Sequence, residues 1–178
     1  MSHSYLVVRF FTPKRLVRCA MVAALYTVLC LTLAPFSYGA IQVRVAEMLT
    51  LLPIFGPEYI VGVTLGCFFS NLFGSTVIDV VFGTIATLLA CLVTYKLRGL
   101  RVKGLALPAA IPPVIFNAVI IGIEISVFFT DGAATLPLVL WNGFTVGIGE
   151  VISCMLLGVA LVRLIESNAA LKNIFVNN

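Results

Sequence analysis

The chain has 178 residues, of which 61% are hydrophobic and only 10% charged. Soluble domains carry about 25% charged residues, so the composition points to an all-α polytopic membrane protein and leaves no room for a second, soluble domain. The net charge of +4 is too small, and too ordered along the chain, to suggest a nucleic-acid partner, and the single histidine, His3, argues against a histidine-based metal site or triad.

A membrane-spanning helix needs about 20 mainly apolar residues. In chain order such runs occupy residues 16–35, 57–73, 77–97, 105–129 and 136–165. They are too long for strands and lack period-two alternation, which excludes a β-barrel. The basic residues decide how many times the chain crosses. Arg9, Lys14, Arg15 and Arg18 precede the first run, Lys96, Arg98, Arg101 and Lys103 follow the third, and Arg163 and Lys172 close the chain. Cytoplasmic flanks collect Lys and Arg, so all three clusters belong on one side. Three crossings cannot return the chain to its starting side, so residues 41–55 must supply a short additional one. At about 1.5 Å per residue that stretch reaches about 22 Å, short of the roughly 30 Å hydrocarbon core. It must stand upright, lean on its neighbours, or sit where the bilayer is thinned. The expected fold is six transmembrane helices with a short second one and both termini cytoplasmic. Residues 14–168 form the membrane domain, with tails at 1–13 and 169–178. No cleavable signal peptide is expected.

Under this topology Arg44 is the one basic residue outside the cytoplasmic clusters. It lies in "GAIQVRVAEMLTLLP", beside Gln42 and Glu47. Asn71, Asp79, Asn117, Glu124, Trp141, Asn142 and Glu150 fall in the outer half of the other helices. A charged side chain at a helix centre costs about 2.5–3.5 kcal/mol on the insertion scale. Acids from separate helices are therefore expected to share one polar pocket, open to the outside. With Arg44 facing Glu47, Asp79, Glu124 and Glu150, that pocket suits a cationic or donor-rich ligand. Structural alternatives stand beside this reading. Arg44 and Glu47 are i,i+3 neighbours that can pair, and Asp79 can cap its helix after Ser75 and Thr76. Asn71 and Asn117 can bond between helices, and Trp141 can anchor at the interface.

Small residues recur at four-residue spacing at Gly62, Gly66, Ser70 and Gly74, at Gly143 and Gly147, and at Ala20 and Ala24. Such ridges allow close helix approach, and the alanine pair also suits docking of another membrane protein. The five cysteines lie scattered in apolar runs without a CxxC and read as small core hydrophobes. GxxxxGK[ST], HExxH and GxSxG are absent from the sequence. No catalytic constellation, cofactor or metal is expected.

Several segments carry a family likeness. "GAIQVRVAEMLTLLP" resembles the signature of the QueT family, built around Gln42, Arg44 and Glu47, and "SNLFG", "IDVVFGTIATLLACLVTYKLRG", "FNAVIIGIEI" and "GIGEVI" follow in the family's order. The resemblance implies the substrate-binding S-component of an energy-coupling factor (ECF) transporter in the cell membrane. Such a subunit has six helices, binds a queuosine precursor (a deazaguanine base) near the outer face, and associates with a transmembrane coupling protein and two ATPases that use the ATP. By resemblance Ala20 and Ala24 fall at the docking motif. On this reading Glu124 and Glu150 read the base or its amine, Asn71, Asp79 and Asn117 line the site, Gln42, Arg44 and Glu47 shape its mouth, and Trp141 stacks on the base. An S-component for another small cationic vitamin, or a structural membrane protein without a ligand, remain the alternatives.

Overall fold

The computed structural model describes residues 12–37, 43–130 and 132–176. Gln42 lies outside them. The chain runs through α1 (Pro13–Ser37), a 3-10 helix α2 (Val45–Ile54), α3 (Glu58–Gly74), α4 (Val77–Lys96), α5 (Leu107–Phe128), α6 (Leu136–Ser167) and a short α7 (Ala169–Phe175). No strand occurs among the described residues, only an isolated bridge between Val102 and Leu105. Helices α1, α4, α5 and α6 are long and apolar enough to cross a membrane, whereas α2 and α3 are shorter. The stretch expected as a C-terminal tail begins with α7, whose start is capped by the Asn168 side chain.

The short second element differs from the expected α-helix in its winding. A 3-10 helix rises about 2.0 Å per residue and stacks side chains i and i+3 in line. Ten residues therefore cover about 20 Å, against about 15 Å for an α-helix. The winding also gives the helix three separate rows. Arg44, at its N-terminal cap, leads Glu47 and Thr50 in a polar row. Ala46, Leu49 and Leu52 enter one apolar cluster with Val22, Tyr26, Tyr59 and Val63. Leu51 and Ile54 enter a second, with Ala109, Ala110, Cys154 and Val162. Buried on every side, α2 touches all the long helices and stands at the centre of the bundle. Short as it is, α2 is supported by its neighbours on every side.

Around α2 the helices α1, α3, α4, α5 and α6 pack in that order. The small residues explain the closeness of two of these contacts. A Cβ on Gly66 would lie 2.6 Å from the Cβ of Tyr26 and 3.0 Å from the carbonyl oxygen of Ala23, so α3 meets the α1 backbone only through hydrogen. A Cβ on Gly122 of α5 would lie 2.6 Å from the Cα of Gly143 on α6. Midway along α6, residues Val151–Gly158 widen into π-helical turns. There Gly158 admits the side chain of Leu51 from α2, which a Cβ would meet at 3.2 Å.

Of the ten described Lys and Arg residues, nine cluster at one end of the bundle, where α1, α3 and α5 start and α4 and α6 finish; Arg44 alone sits at the other. At the basic end, Arg15 and Arg18 reach Glu58 at 3.8 and 3.5 Å. Glu58 thus serves both its helix dipole and two guanidinium groups. Arg101 meets Glu166 at 2.7 Å, tying the loop after α4 to the end of α6.

Candidate functional site

The polar row of α2 opens onto a small, tight cavity in the middle of the bundle, lined by Arg44, Glu47, Cys67, Gly83, Thr87, Asn117, Ile121, Val146 and Glu150. Five elements contribute: α2, α3, α4, α5 and α6. A second, outer cleft lies between α1, α2 and α3, with Arg44, Ser70, Asn71 and Ser75 on its wall. Arg44 borders both spaces.

The inner cavity is built around two carboxylates. Glu47 is 2% exposed. Its Oε1 accepts a short hydrogen bond from the Tyr26 hydroxyl, while Oε2 is buried and meets no donor among the described residues. Glu150 is held from both sides. The Asn117 amide donates to Oε1 at 2.8 Å, and the Cys154 thiol donates to Oε2 at 3.2 Å. Thr50 donates to the Glu47 carbonyl at 2.6 Å and fixes the α2 backbone beneath the carboxylate. The i,i+3 pairing of Arg44 with Glu47 does not form: neither residue is in an ion pair among the described residues.

Ligating atoms of Glu47, Glu150 and Cys154 all lie within 4.8 Å of one another. The Cys154 sulfur already engages the Glu47 carbonyl, Thr50 and Glu150, so the trio forms a hydrogen-bonded floor rather than an open coordination site. Two carboxylate charges at that 4.8 Å limit, were both ionised, would repel by roughly 3.5 kcal/mol at an effective dielectric near 20. A cation or a cluster of N–H donors entering the cavity would relieve that repulsion and occupy the orphaned Glu47 oxygen.

The remaining expected residues divide sharply. Asn117 lines the cavity, while Asn71 lines the outer cleft and donates to the Asp79 carbonyl at 2.9 Å, joining α3 to the start of α4. Thr76 rather than Asp79 caps α4, its hydroxyl accepting from the Asp79 backbone N–H at 3.3 Å, while Ser75 and Thr76 donate to the Asp79 carboxylate in the first turn. Glu124 is fully buried beside Asp79, away from the cavity lining, and neither of its oxygens meets a donor among the described residues. Asn142 donates to Ser126 at 2.9 Å and ties α6 to α5. Trp141 does not line the cavity: 63% exposed beside Phe144, it faces outward, where an amphipathic ring suits a membrane interface. Ala20 and Ala24 are exposed on α1, and Ala24 lines a groove between α1 and α7.

Residues that the sequence did not single out complete the site. Tyr26 positions Glu47, and Cys67, Gly83, Thr87, Ile121 and Val146 form the walls. Gly83 lies where a Cβ would meet the Asn71 amide at 2.6 Å. Only the spacing of Gly83 and Thr87 along one face of α4 hinted at a shared role.

Comparison with known proteins adds an independent line. The family model described as QueT transporter matches residues 16–167. The queuosine precursor transporter QueT of Lactococcus lactis subsp. cremoris (strain MG1363) is 47% identical over 75 residues, which are 41% of this chain and 44% of that protein. The alignment thus spans less than half the length of this relative. No solved structure matches.

Proposed function

The chain belongs to the QueT transporter family, and from that premise we propose that it captures a queuosine precursor in the central cavity and serves as the substrate-binding S-component of an ECF importer. Four polar residues hold the ligand in this reading. Glu47 and Glu150 accept hydrogen bonds from adjacent N–H groups of the deazaguanine base or from its amine. Asn117 fixes the orientation of Glu150, and Arg44 closes the path from the outer cleft. Single carbonyls accept one donor well, whereas a carboxylate can take two parallel N–H groups, and charged acceptors form the stronger bonds. The observation that carries the proposal is the orphaned Oε2 of Glu47, buried in a cavity that five elements enclose.

The membrane arrangement follows from the same premise. Six crossings put both termini and the basic end in the cytoplasm and Arg44 toward the outside. ATP is used by two separate ATPases joined through a transmembrane coupling protein. The exposed Ala20 and Ala24 give that protein a smooth helix face to pack against. The test is direct. Protein purified in detergent is analysed by mass spectrometry for co-purified small molecules, then titrated calorimetrically with deazaguanine bases. Saturable binding of a deazaguanine base is expected; no binding of any such base, with another compound recovered instead, would overturn the substrate assignment.

A further inference from the structure

Glu124 is a buried acid that substrate binding does not use. It is 0% exposed, both of its oxygens are sealed from solvent, and neither meets a donor among the described residues. It lies one turn before the C-terminal end of α5, where the helix dipole is negative and disfavours a carboxylate. A second acid, Asp79 in the first turn of α4, stands within hydrogen-bonding reach. Phe82, one turn after Asp79, packs on Phe128, one turn after Glu124, with ring centroids 5.7 Å apart, so the same two helix faces meet there. Neither acid is in an ion pair among the described residues.

The atoms around this pair form a donor set of one kind. The Ser75 and Thr76 hydroxyls engage the Asp79 carboxylate, so two carboxylates and two hydroxyls gather at one end of the bundle. Nitrogen and sulfur ligands suit the softer transition metals, whereas an all-oxygen set suits hard cations. Ser75 and Thr76 are exposed, Asp79 is half-buried and Glu124 is buried, so the oxygens lead inward from the surface. Ser75 also lines the outer cleft, which gives an ion its approach. A proton shared between the two acids is the rival occupant. It would join one Glu124 oxygen to Asp79 and leave the other without a partner, whereas a cation held by both oxygens satisfies them together. Two carboxylates balance a divalent charge. Calcium accepts irregular oxygen sets of this sort, and magnesium demands near-ideal octahedral geometry.

We propose that Glu124, Asp79, Ser75 and Thr76 form a calcium site that clamps the start of α4 to the end of α5. The site is separate from the central cavity, which neither acid lines, and it is independent of the substrate.

Thermal unfolding of the whole protein in detergent, stripped with EDTA and titrated with calcium at constant ionic strength, tests it. Calcium should raise the Tm with a Kd of about 10⁻⁴–10⁻³ M, the range of extracellular calcium modules. At a hundredfold excess over that Kd the folding equilibrium should shift about a hundredfold, and magnesium at the same concentration should do less. Glu124→Gln replaces an unpaired acid with a neutral amide, so it should fold without calcium and lose the response. Asp79→Asn keeps the Thr76 cap and should lose it too. Glu47→Gln, in the central cavity, should respond like the unaltered protein. No calcium-dependent rise, an equal effect of magnesium, or a response kept by Glu124→Gln would overturn the site. A response lost in Glu47→Gln would put the ion in the central cavity instead. A Tm that ignores calcium yet falls with rising pH, and does so only while Glu124 is present, would give the pair a shared proton; either result also overturns the proposal.

Discussion

Replacing Glu47 by Gln separates ligand recognition from structural support with little change of shape. In the folded protein Glu47 uses one oxygen to accept from Tyr26 and leaves the other orphaned. A glutamine keeps a carbonyl oxygen for Tyr26 and puts an amide NH₂ where the orphaned oxygen stood. It also removes one of two neighbouring negative charges, so the unliganded protein should keep its Tm. The bound state behaves differently. A hydrogen bond to a charged group contributes about 1.5–3 kcal/mol, and the amide presents donors to the ligand's donors. Loss of one such bond should raise the Kd roughly 10- to 150-fold. Isothermal titration with a deazaguanine base in detergent, paired with unliganded Tm measurements, reads both quantities. Glu124→Gln provides the contrast, because Glu124 adjoins Asp79 and does not line the cavity; its Kd should stay within about twofold, below the range one lost charged bond would give. If Glu124→Gln weakens binding as Glu47→Gln does, or if Glu47→Gln leaves affinity unchanged, the ligand is not seated on the α2 row.

Two further outcomes probe the frame around the cavity. Gly66→Ala drives a Cβ to within 2.6 Å of Tyr26; overpacking of this kind costs about 1–3 kcal/mol, and because Tyr26 also holds Glu47, both Tm and ligand affinity should fall together. A fall in Tm without any change in affinity would separate the α1–α3 contact from the site. Arg101→Ala removes a 2.7 Å ion pair whose side chains are 28 and 39% exposed; such surface pairs contribute about 0–1 kcal/mol, so the Tm should barely move, and a large drop would mean that the loop after α4 anchors α6 more strongly than its exposure implies.

The long helices were legible because hydrocarbon imposes length and apolarity on any segment facing it. The expected run 77–97 appears as Val77–Lys96, and 136–165 as Leu136–Ser167. The glycine ridge of α3 was legible for a related reason: small residues at four-residue spacing have few other uses than close packing. The polar residues were harder. Position along the chain places Asn142, Glu124 and Trp141 at a similar depth, but it does not specify the face of the helix. Asn142 turned to Ser126, Glu124 to Asp79, and Trp141 outward. The local pairing of Asp79 with Ser75 and Thr76 was readable, because capping depends on neighbours in sequence, although Thr76 and not Asp79 supplies the cap. Tyr26 was not readable, since its partner Glu47 is 21 residues away on another element.

The winding of α2 carries the deepest consequence. An α-helix of this sequence would turn Arg44, Glu47 and Thr50 progressively away from one another, since three residues fall short of its 3.6-residue turn. One of the polar side chains would then enter an apolar cluster. The 3-10 winding aligns them and leaves Ala46, Leu49 and Leu52 on one side and Leu51 and Ile54 on another. Poorer hydrogen-bond geometry normally keeps 3-10 helices to three or four residues; ten are sustained here because every side is packed. The same packing that stabilises the unusual helix also delivers a carboxylate, with one oxygen unsatisfied, to the centre of the bundle. In a membrane such a group is costly unless something binds it, and the cavity beside it gives that something a place.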